Sequence, residues 1–167
     1  KLLLSFLEEQ LRLSPEPSLR ELVQRQFRGQ FCYVTTCTSC GAPSDSSANR
    51  FPFYEVELNL KPTLEASLAE YVASELIGGV SCGGCKGKHD ATRQMELVGL
   101  PPVLCLQLLR FVFDPATFDK KKVSSAVSFP EMLDAAPYAK PDGRAAPPGA
   151  CRYRLTAVLM HTGSSAH

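Results

Sequence analysis

The chain has 167 residues, of which 44% are hydrophobic and 21% charged, and its formal net charge is +1. This composition can bury a substantial core, so it excludes a disordered or fibrous chain. The near-neutral charge argues against broad attraction to nucleic acid or anionic membranes, and the basic run at residues 120–122 is expected in a solvated loop.

The first third of the chain predicts two helices and a strand. Residues 2–13 carry apolar side chains at helical spacing before two prolines, which predicts a first helix. Ser18 and Glu21 form a Ser-x-x-Glu capping box, which predicts a second helix that ends near Gly29. Residues 31–36 are aromatic and β-branched, which predicts a strand.

The middle of the chain alternates between strand and helix patterns. Residues 51–60 alternate apolar and polar side chains, which predicts a second strand that forms a hairpin with the first. Residues 64–76 return to helical spacing, and Gly78 and Gly79 are expected to end that helix. Residues 92–97 alternate again, which predicts a strand.

The last third contains one long apolar stretch. Residues 103–113 are nearly continuous in apolar side chains, which predicts a central strand buried on both faces. A short turn or helix is expected at 129–133, a loop at 135–150 and a last strand at 153–161. Together the elements predict an α+β domain with a mainly antiparallel sheet.

Four of the seven cysteines form two Cys-x-x-Cys pairs, Cys37 with Cys40 and Cys82 with Cys85. Four thiolates in two tight turns are a ligand set for tetrahedral zinc, which predicts one structural ion with no open position for water or substrate. About 40 residues separate the pairs, where compact templates have roughly 15 to 20. Folded structure must therefore return the second pair to the first.

Other chemistry remains open for these side chains. A thiol–disulfide pair and unligated thiols are alternatives to zinc, although the pairs lack the helix start that redox motifs use. His89 could compete as a ligand but is expected to be exposed in a loop. A Cys–His nucleophile pair using His161 or His167 is a further alternative. The remaining cysteines are expected to pack as small hydrophobes: Cys32, Cys105 and Cys151.

The cysteine usage also suggests a compartment. An odd number of cysteines with four in metal-type pairs fits a reducing environment, so we expect the cytoplasm or the nucleus. The longest apolar run, residues 97–113, is interrupted by polar residues and prolines, so we expect no membrane span and no signal peptide. The chain begins without an initiator methionine, which indicates an excerpt of something longer.

Several motifs occur in a fixed order along most of the chain. They are Gln26-Phe27-Arg28-Gly29, Cys37-Thr38-Ser39-Cys40-Gly41, Cys82-x-x-Cys85, Leu100-Pro101-Pro102-Val103-Leu104, Arg110-Phe111, Phe129-Pro130 and Tyr153-x-Leu155-x-Ala157-Val158. This ordered set resembles the catalytic domain of the ubiquitin-specific proteases, which are cysteine-protease deubiquitinases. The combination is more specific than any one of its members.

The resemblance implies an incomplete domain with zinc-bearing fingers and a palm. Residues 1–29 would be the helical end of the thumb, residues 30–98 the fingers that grip ubiquitin, and residues 99–167 the palm, cut before the catalytic histidine. Residues 114–122 would form the first blocking loop, and residues 161–167 would open the second. The implied contacts of these loops with the ubiquitin tail are Arg110, Phe111, Asp114, His161 and Gly163.

The chain departs from the family where the chemistry would be. Both the upstream nucleophilic cysteine motif and the Gly-His-Tyr motif of the general base are absent, so no catalytic residue is expected in this chain. His167 follows Ala166 instead of glycine, and His161 matches only the start of the loop. Leu109 stands where the family commonly has lysine.

Three functions are compatible with these features. The resemblance implies a deubiquitinase that hydrolyses isopeptide or peptide bonds at the C-terminal glycine of ubiquitin, with ubiquitin or ubiquitinated proteins as partners. The alternative is a non-catalytic, zinc-stabilised module that binds ubiquitin or acts as a scaffold. A zinc ribbon that binds nucleic acid would need a basic aromatic surface that this composition does not supply.

Overall fold

The structure is a computed structural model that describes residues 2–44, 49–116, 118–160 and 162–163. Helices and strands are mixed, as predicted. The helices are α1 Leu2–Arg12, α2 Pro17–Arg20, α3 Leu22–Phe27 and α4 Leu64–Tyr71. The strands are β1 Gly29–Cys37, β2 Arg50–Phe53, β3 Val56–Leu58, β4 Glu75–Ser81, β5 Lys88–Gly99, β6 Leu106–Leu108, β7 Phe111–Asp114, β8 Asp119–Lys122, β9 Met132–Asp134 and β10 Arg152–Arg154.

The largest sheet has four antiparallel strands in the order β2-β1-β5-β4. Its longest ladder joins β1 to β5, from Gln30 opposite Gly99 to Cys37 opposite Ala91. Strand β2 returns beside β1 and pairs Phe53 with Gly29, which confirms the predicted hairpin. A mainly antiparallel sheet in an α+β chain is therefore confirmed.

The predicted strand at 51–60 is wrong as a single element. The chain bends at Tyr54 and Glu55, so that β2 and β3 belong to different sheets. Strand β3 pairs in parallel with β6, where Val56 lies opposite Leu106. The alternation of apolar and polar residues therefore continues in the sequence from β2 to β3, although the two strands pair with different partners.

The predicted helix at 64–76 is too long. The Thr63 hydroxyl accepts a hydrogen bond of 3.1 Å from the Ala66 N–H and caps the start of α4. The helix ends at Tyr71, and Leu76 lies in β4. Pairing with β5 overrides the helical pattern there, and the two glycines at 78 and 79 interrupt the register of β4 instead of ending a helix.

The predicted second helix is split. Helices α2 and α3 meet at Glu21, and the capping box is absent because the Ser18 hydroxyl donates to the Glu16 carboxylate at 2.9 Å. Pro17 occupies the first turn of α2, where its missing N–H costs nothing. The prediction that a helix starts here was correct, but the predicted capping hydrogen bonds were wrong.

The predicted central strand at 103–113 is also wrong. It divides into β6, of three residues, and β7, which forms an antiparallel hairpin with β8. Val112 and Phe113 are exposed, so this stretch is not buried on both faces. Lys120 and Lys121 are exposed as expected and Lys122 is half-buried, but all three lie in β8 and not in a loop.

The end of the chain corrects two further predictions. Strand β9 occupies part of the segment expected to be a turn or helix, and it pairs with β10. The last strand ends at Arg154, well before the predicted limit of residue 161. Between them, the expected loop contains two short 3-10 turns, Ala136–Tyr138 and Pro141–Gly143.

The core lies where α4 and strands β2, β3, β5 and β9 meet. None of the helices in the described part of the chain has the length and apolarity needed to cross a membrane. The Tyr153 hydroxyl reaches across the core to the Pro101 carbonyl at 2.7 Å. The buried core side chains are Phe53, Val56, Leu58, Leu68, Leu97 and Leu133.

A half-buried ion pair joins the long sheet to the segment that follows β9. The Lys140 ammonium lies 2.7 Å from the carboxylate of Glu96, which is only 7% exposed, and 3.1 Å from the side-chain oxygen of Gln94. The Lys140 N–H also donates to the Leu97 carbonyl at 2.8 Å. Because a buried carboxylate needs a partner, this contact fixes the position of the segment.

Gly29 provides room for a core side chain at the start of β1. A Cβ atom at this position would overlap ring atoms of Phe53, its partner across the β1–β2 ladder. The ring covers the glycine backbone and is itself only 8% exposed. Glycine is therefore required by the close approach of the ring.

We expect Gly29→Ala to destabilise the protein by about 1 to 3 kcal/mol, because the added methyl group overpacks the site. The free energy of unfolding in urea measures the loss. Phe53→Leu is the matched partner, and the double variant should lose less than the sum of the two single losses. Strict additivity would contradict the proposed contact.

Candidate metal centre and acidic cleft

The four predicted ligands converge at the far end of the β1–β5 ladder. Cys37 ends β1, Cys40 lies in the turn that follows, and Cys82 and Cys85 lie in the turn between β4 and β5. All four sulfur atoms lie within 4.8 Å of one another, and those of Cys40 and Cys82 are 3.5 Å apart. Sulfurs around zinc at about 2.3 Å are separated by about 3.8 Å, so the cluster could hold a metal ion.

Two backbone hydrogen bonds close the first cysteine turn. The Gly41 N–H donates to the Cys37 carbonyl at 2.9 Å, and the Cys37 N–H donates to the Ala42 carbonyl at 3.1 Å. Gly41 has a φ of +69°, in the left-handed region that glycine adopts without steric cost. The Cys-Gly sequence is therefore matched to this turn.

The second turn repeats the same two bonds with a different residue at the bend. The Lys86 N–H donates to the Cys82 carbonyl at 3.0 Å, and the Cys82 N–H donates to the Gly87 carbonyl at 2.9 Å. Lys86 has a φ of +60°, which costs a residue with a Cβ atom about 1 kcal/mol or more. The glycines before Cys85 do not make this bend, but a Cβ at Gly84 would lie 3.5 Å from the Cys40 sulfur.

The thiols of the second turn differ in acidity. Hydrogen bonds from the N–H groups of Cys85 and Gly84 lower the pKa of the Cys82 thiol to about 6. The Gly87 N–H lowers the pKa of Cys85, but desolvation and the neighbouring thiols outweigh it and raise that pKa to about 11. Without a cation, the sulfurs compete for protons, and a bound cation would favour the thiolate form of all four.

The other sulfur and imidazole groups lie apart from this cluster. His89 is half-buried in β5, so the prediction of an exposed loop residue is wrong. Cys32 is fully buried and Cys105 is half-buried, where burial raises the pKa of its thiol. Cys151 is also half-buried. His161 and His167 lie outside the described residues.

Arg110 holds the segment that follows the β7–β8 hairpin. Its guanidinium donates to the carbonyls of Val123 at 3.2 Å and Ser125 at 2.9 Å. Phe111 begins β7 directly after it, opposite Lys122. These two predicted loop residues therefore lie at the base of the hairpin.

The two predicted blocking loops meet at one hydrogen bond. The Lys122 ammonium donates to the Gly163 carbonyl at 2.5 Å. Asp114 ends β7, but its side chain lies outside the described part of the structure, as does His161. Of the predicted loop residues, the structure thus places Arg110, Phe111 and Gly163 around the same hairpin.

A cleft of about 460 Å³ lies between α1 and the strands β1, β2 and β3. The Tyr54 hydroxyl donates to the Glu8 carboxylate across it at 3.2 Å, and burial followed by the Glu8 charge raises the pKa of Tyr54. Leu109, where the family commonly has lysine, adds an apolar wall. Its aromatic and acidic lining comprises Phe31, Tyr33, Phe53, Tyr54, Tyr71, Glu8, Glu55 and Glu57.

This cleft was not predicted from the sequence. The run Phe53-Tyr54-Glu55-Val56-Glu57 contains most of the signal, because it combines aromatic and acidic residues over a few positions. Its alternation suggested an ordinary strand, and the bend that turns Tyr54 toward α1 could not be predicted from that pattern. Carboxylates beside aromatic rings favour a positively charged ligand.

The family description "Ubiquitin carboxyl-terminal hydrolase" matches residues 1–167 of the chain. The chain belongs to this family. Ubiquitin carboxyl-terminal hydrolase 26 of Oryza sativa subsp. japonica is 43% identical over 171 residues, covering 99% of this chain and 15% of that protein. Ubiquitin carboxyl-terminal hydrolase 48 of Danio rerio is 41% identical over 172 residues, covering 100% of this chain and 16% of that protein.

The chain thus spans about one sixth of the length of these curated relatives. Within the family, residues 108–114 and the following lysine run resemble ubiquitin-specific protease 48, and the second match confirms that likeness. Both relatives are ubiquitin carboxyl-terminal hydrolases, so the family assignment from the ordered motifs is confirmed.

Chains of solved SAGA DUB-module structures share the fold. A chain of the SAGA Ubp8/Sgf11/Sus1/Sgf73 DUB module bound to ubiquitin aldehyde superposes with a TM-score of 0.79 at 22% identity, covering 98% of this chain and 38% of that chain. A chain of the SAGA DUB module bound to monoubiquitin gives 0.69 at 25% identity, covering 80% and 30%. These likenesses confirm the fold predicted from the family resemblance.

The two cysteine turns offer a matched pair of substitutions. We expect Lys86→Gly to stabilise the protein by about 1 kcal/mol, because it relieves the left-handed backbone. The melting temperature should rise by about 2 to 4 °C. Gly41→Lys at the equivalent position should lower it by a similar amount, and a fall for both variants would contradict the equivalence of the turns.

Proposed function

We propose that this chain belongs to a deubiquitinase that hydrolyses the isopeptide or peptide bond at the C-terminal glycine of ubiquitin. The acidic, aromatic cleft between α1 and the long sheet carries the proposal, because its shape and charge suit an extended basic segment. Membership of the ubiquitin carboxyl-terminal hydrolase family supports the same reaction. Ubiquitin and ubiquitinated proteins are the proposed partners.

We assign the parts of the domain as the resemblance implies. Residues 1–29 form the end of the thumb, residues 30–98 the fingers and residues 99–167 the palm. The face of the long sheet that carries Phe31 and Tyr33 continues into the cleft, and Arg93 lies 4.1 Å over the Tyr33 ring. The body of ubiquitin would lie on this face, with its tail in the cleft.

The chain would contribute binding and positioning and no reacting group. In the proposed reaction, a cysteine thiolate elsewhere in the polypeptide attacks the carbonyl carbon of the last glycine of ubiquitin. The bond to the substrate amine breaks as that nitrogen gains a proton, and water then hydrolyses the thioester. The cleft would hold the tail so that this carbonyl reaches the nucleophile.

We propose that the ion in the cysteine cluster is zinc. An all-sulfur site disfavours magnesium and calcium, which prefer oxygen ligands. Four protein ligands would fill a tetrahedral zinc site, so the ion would act in structure and not in the reaction. The use of four cysteines in metal-type pairs fits a reducing environment, so we propose the cytoplasm or the nucleus as the location.

Purified protein should contain about one equivalent of zinc by elemental analysis. Cys85→Ser should remove the ion and lower the melting temperature, because zinc binding contributes on the order of 10 kcal/mol in small zinc modules. Cys151→Ser, outside the cluster, should retain the metal. Acidification should release it as protons compete for sulfur, and less than about half an equivalent with four reactive thiols would contradict the site.

A ubiquitin probe with a C-terminal electrophile tests the proposed reaction. It should label the longer polypeptide but not residues 1–167 alone. Glu8→Arg should slow labelling about tenfold, because it reverses a charge inside the cleft. Glu9→Arg changes the next, exposed residue of α1 and should label like the wild type.

Two outcomes would contradict the proposal. Labelling of residues 1–167 would place a nucleophile inside this chain. Equal labelling rates for Glu8→Arg and Glu9→Arg would mean that the ubiquitin tail does not bind in the cleft.

A further inference from the structure

The β7–β8 hairpin combines lysines with exposed aromatic rings. Lys120 and Lys121 are exposed in β8, opposite Phe113 and Val112 of β7. Phe113 and Phe118 are 61% and 82% exposed and contact each other edge to face, with ring centroids 6.2 Å apart. Exposed aromatic pairs beside charges are unusual on a surface that contacts only water.

The hairpin is fixed at the rim of the cleft. Leu109 lines the cleft, and β7 begins two residues later. Arg110 anchors the segment that follows the hairpin, and Lys122 is bonded to the Gly163 carbonyl. The exposed lysines and rings are therefore held in one place beside the cleft.

The cleft and the hairpin differ in charge. Glu8, Glu55 and Glu57 line the cleft, whereas strand β8 of the hairpin carries three consecutive lysines. The Asp119 carboxylate accepts a hydrogen bond of 2.7 Å from the Lys120 N–H, which turns it toward the backbone of the hairpin. A basic segment that suits the cleft would be repelled by the hairpin, so the two surfaces suit different partners.

We propose that this hairpin contacts the protein to which ubiquitin is attached and favours acidic segments around the modified lysine. The inference rests on the proposed function. Lys120 would pair with a carboxylate of the substrate, while Phe113 and Phe118, on the same face of the hairpin, would pack on an apolar side chain next to it. The hairpin would then set which ubiquitinated proteins are cleaved fastest.

A protein segment suits this surface better than nucleic acid does. Successive side chains of a strand point to opposite faces, so Lys121 lies on the other side of the hairpin from Lys120 and Lys122. The lysines therefore form no single row to follow a phosphate backbone. Aspartates also flank the turn. Their negative charges repel a nucleic acid, which is a long polyanion, more strongly than they repel a short acidic peptide.

The test compares substrates that share ubiquitin and differ only in what is attached to it. The complete enzyme would be assayed on ubiquitin joined to the lysine side chain of a peptide rich in glutamate, and of the same peptide with glutamine at those positions. Ubiquitin joined to aminomethylcoumarin reports the reaction without a protein substrate. The measured quantity is the ratio of kcat/KM between the acidic and the neutral peptide.

We expect wild-type enzyme to prefer the acidic peptide, and the charge reversal Lys120→Glu to reduce the ratio about fivefold. Lys120→Arg should keep the ratio, and 0.5 M salt should weaken it. The matched control is Lys88→Glu, an exposed position elsewhere, which should leave the ratio unchanged.

The outcomes separate this inference from the proposed function. No cleavage of the coumarin substrate would overturn the function itself. Normal coumarin cleavage with an unchanged peptide ratio in the lysine variant would overturn only the inference. Loss of binding to a single-stranded 20-mer DNA in that variant, with the peptide ratio unchanged, would assign the hairpin to nucleic acid instead.

Discussion

The long sheet depends on one constraint, which is the convergence of four sulfur atoms at the end of the β1–β5 ladder. Each cysteine turn is closed by two backbone hydrogen bonds, so the sulfurs point inward only if β1, β4 and β5 keep their register. A one-residue slip would turn the side chains of a strand to the opposite face. The cysteine cluster and the sheet therefore specify each other, and the face that leads to the cleft depends on both.

The cleft exists because a strand is interrupted. Continuous pairing of residues 51–60 would keep Tyr54 and Glu55 within one sheet. The bend there lets β3 leave and pair with β6, while Tyr54 turns to meet Glu8 of α1. Separately, the ion pair of Lys140 with Glu96 holds the segment after β9 against β5 of the long sheet. The cleft thus lies where regular strand pairing stops, between the ordered strands β2 and β3.

Sequence patterns predicted the features that depend on local chemistry. The cysteine pairs, the hairpin between β1 and β2, the first helix and the ordered family motifs all agree with the structure. Several of the errors in strand boundaries share one cause, which is that the pairing partner of a segment lies outside that segment. Residues 103–113 look like one buried strand because Leu106 and Leu108 pair with β3, whereas Val112 and Phe113 pair with a lysine strand in water. Periodicity describes one segment and contains no information about its partner.

The sulfur cluster also has a consequence for the unfolded chain. Cys40 and Cys82 are 42 positions apart, and the intervening segment contains β2, β3, α4 and β4. An ion that remained bound to both turns would act as an internal cross-link, which for a loop of this length restricts the unfolded chain by about 4 kcal/mol of entropy. Bound metal would therefore favour refolding from a closed loop. Without it, strands β1, β4 and β5 would have to find one another by the slow search that distant pairings require.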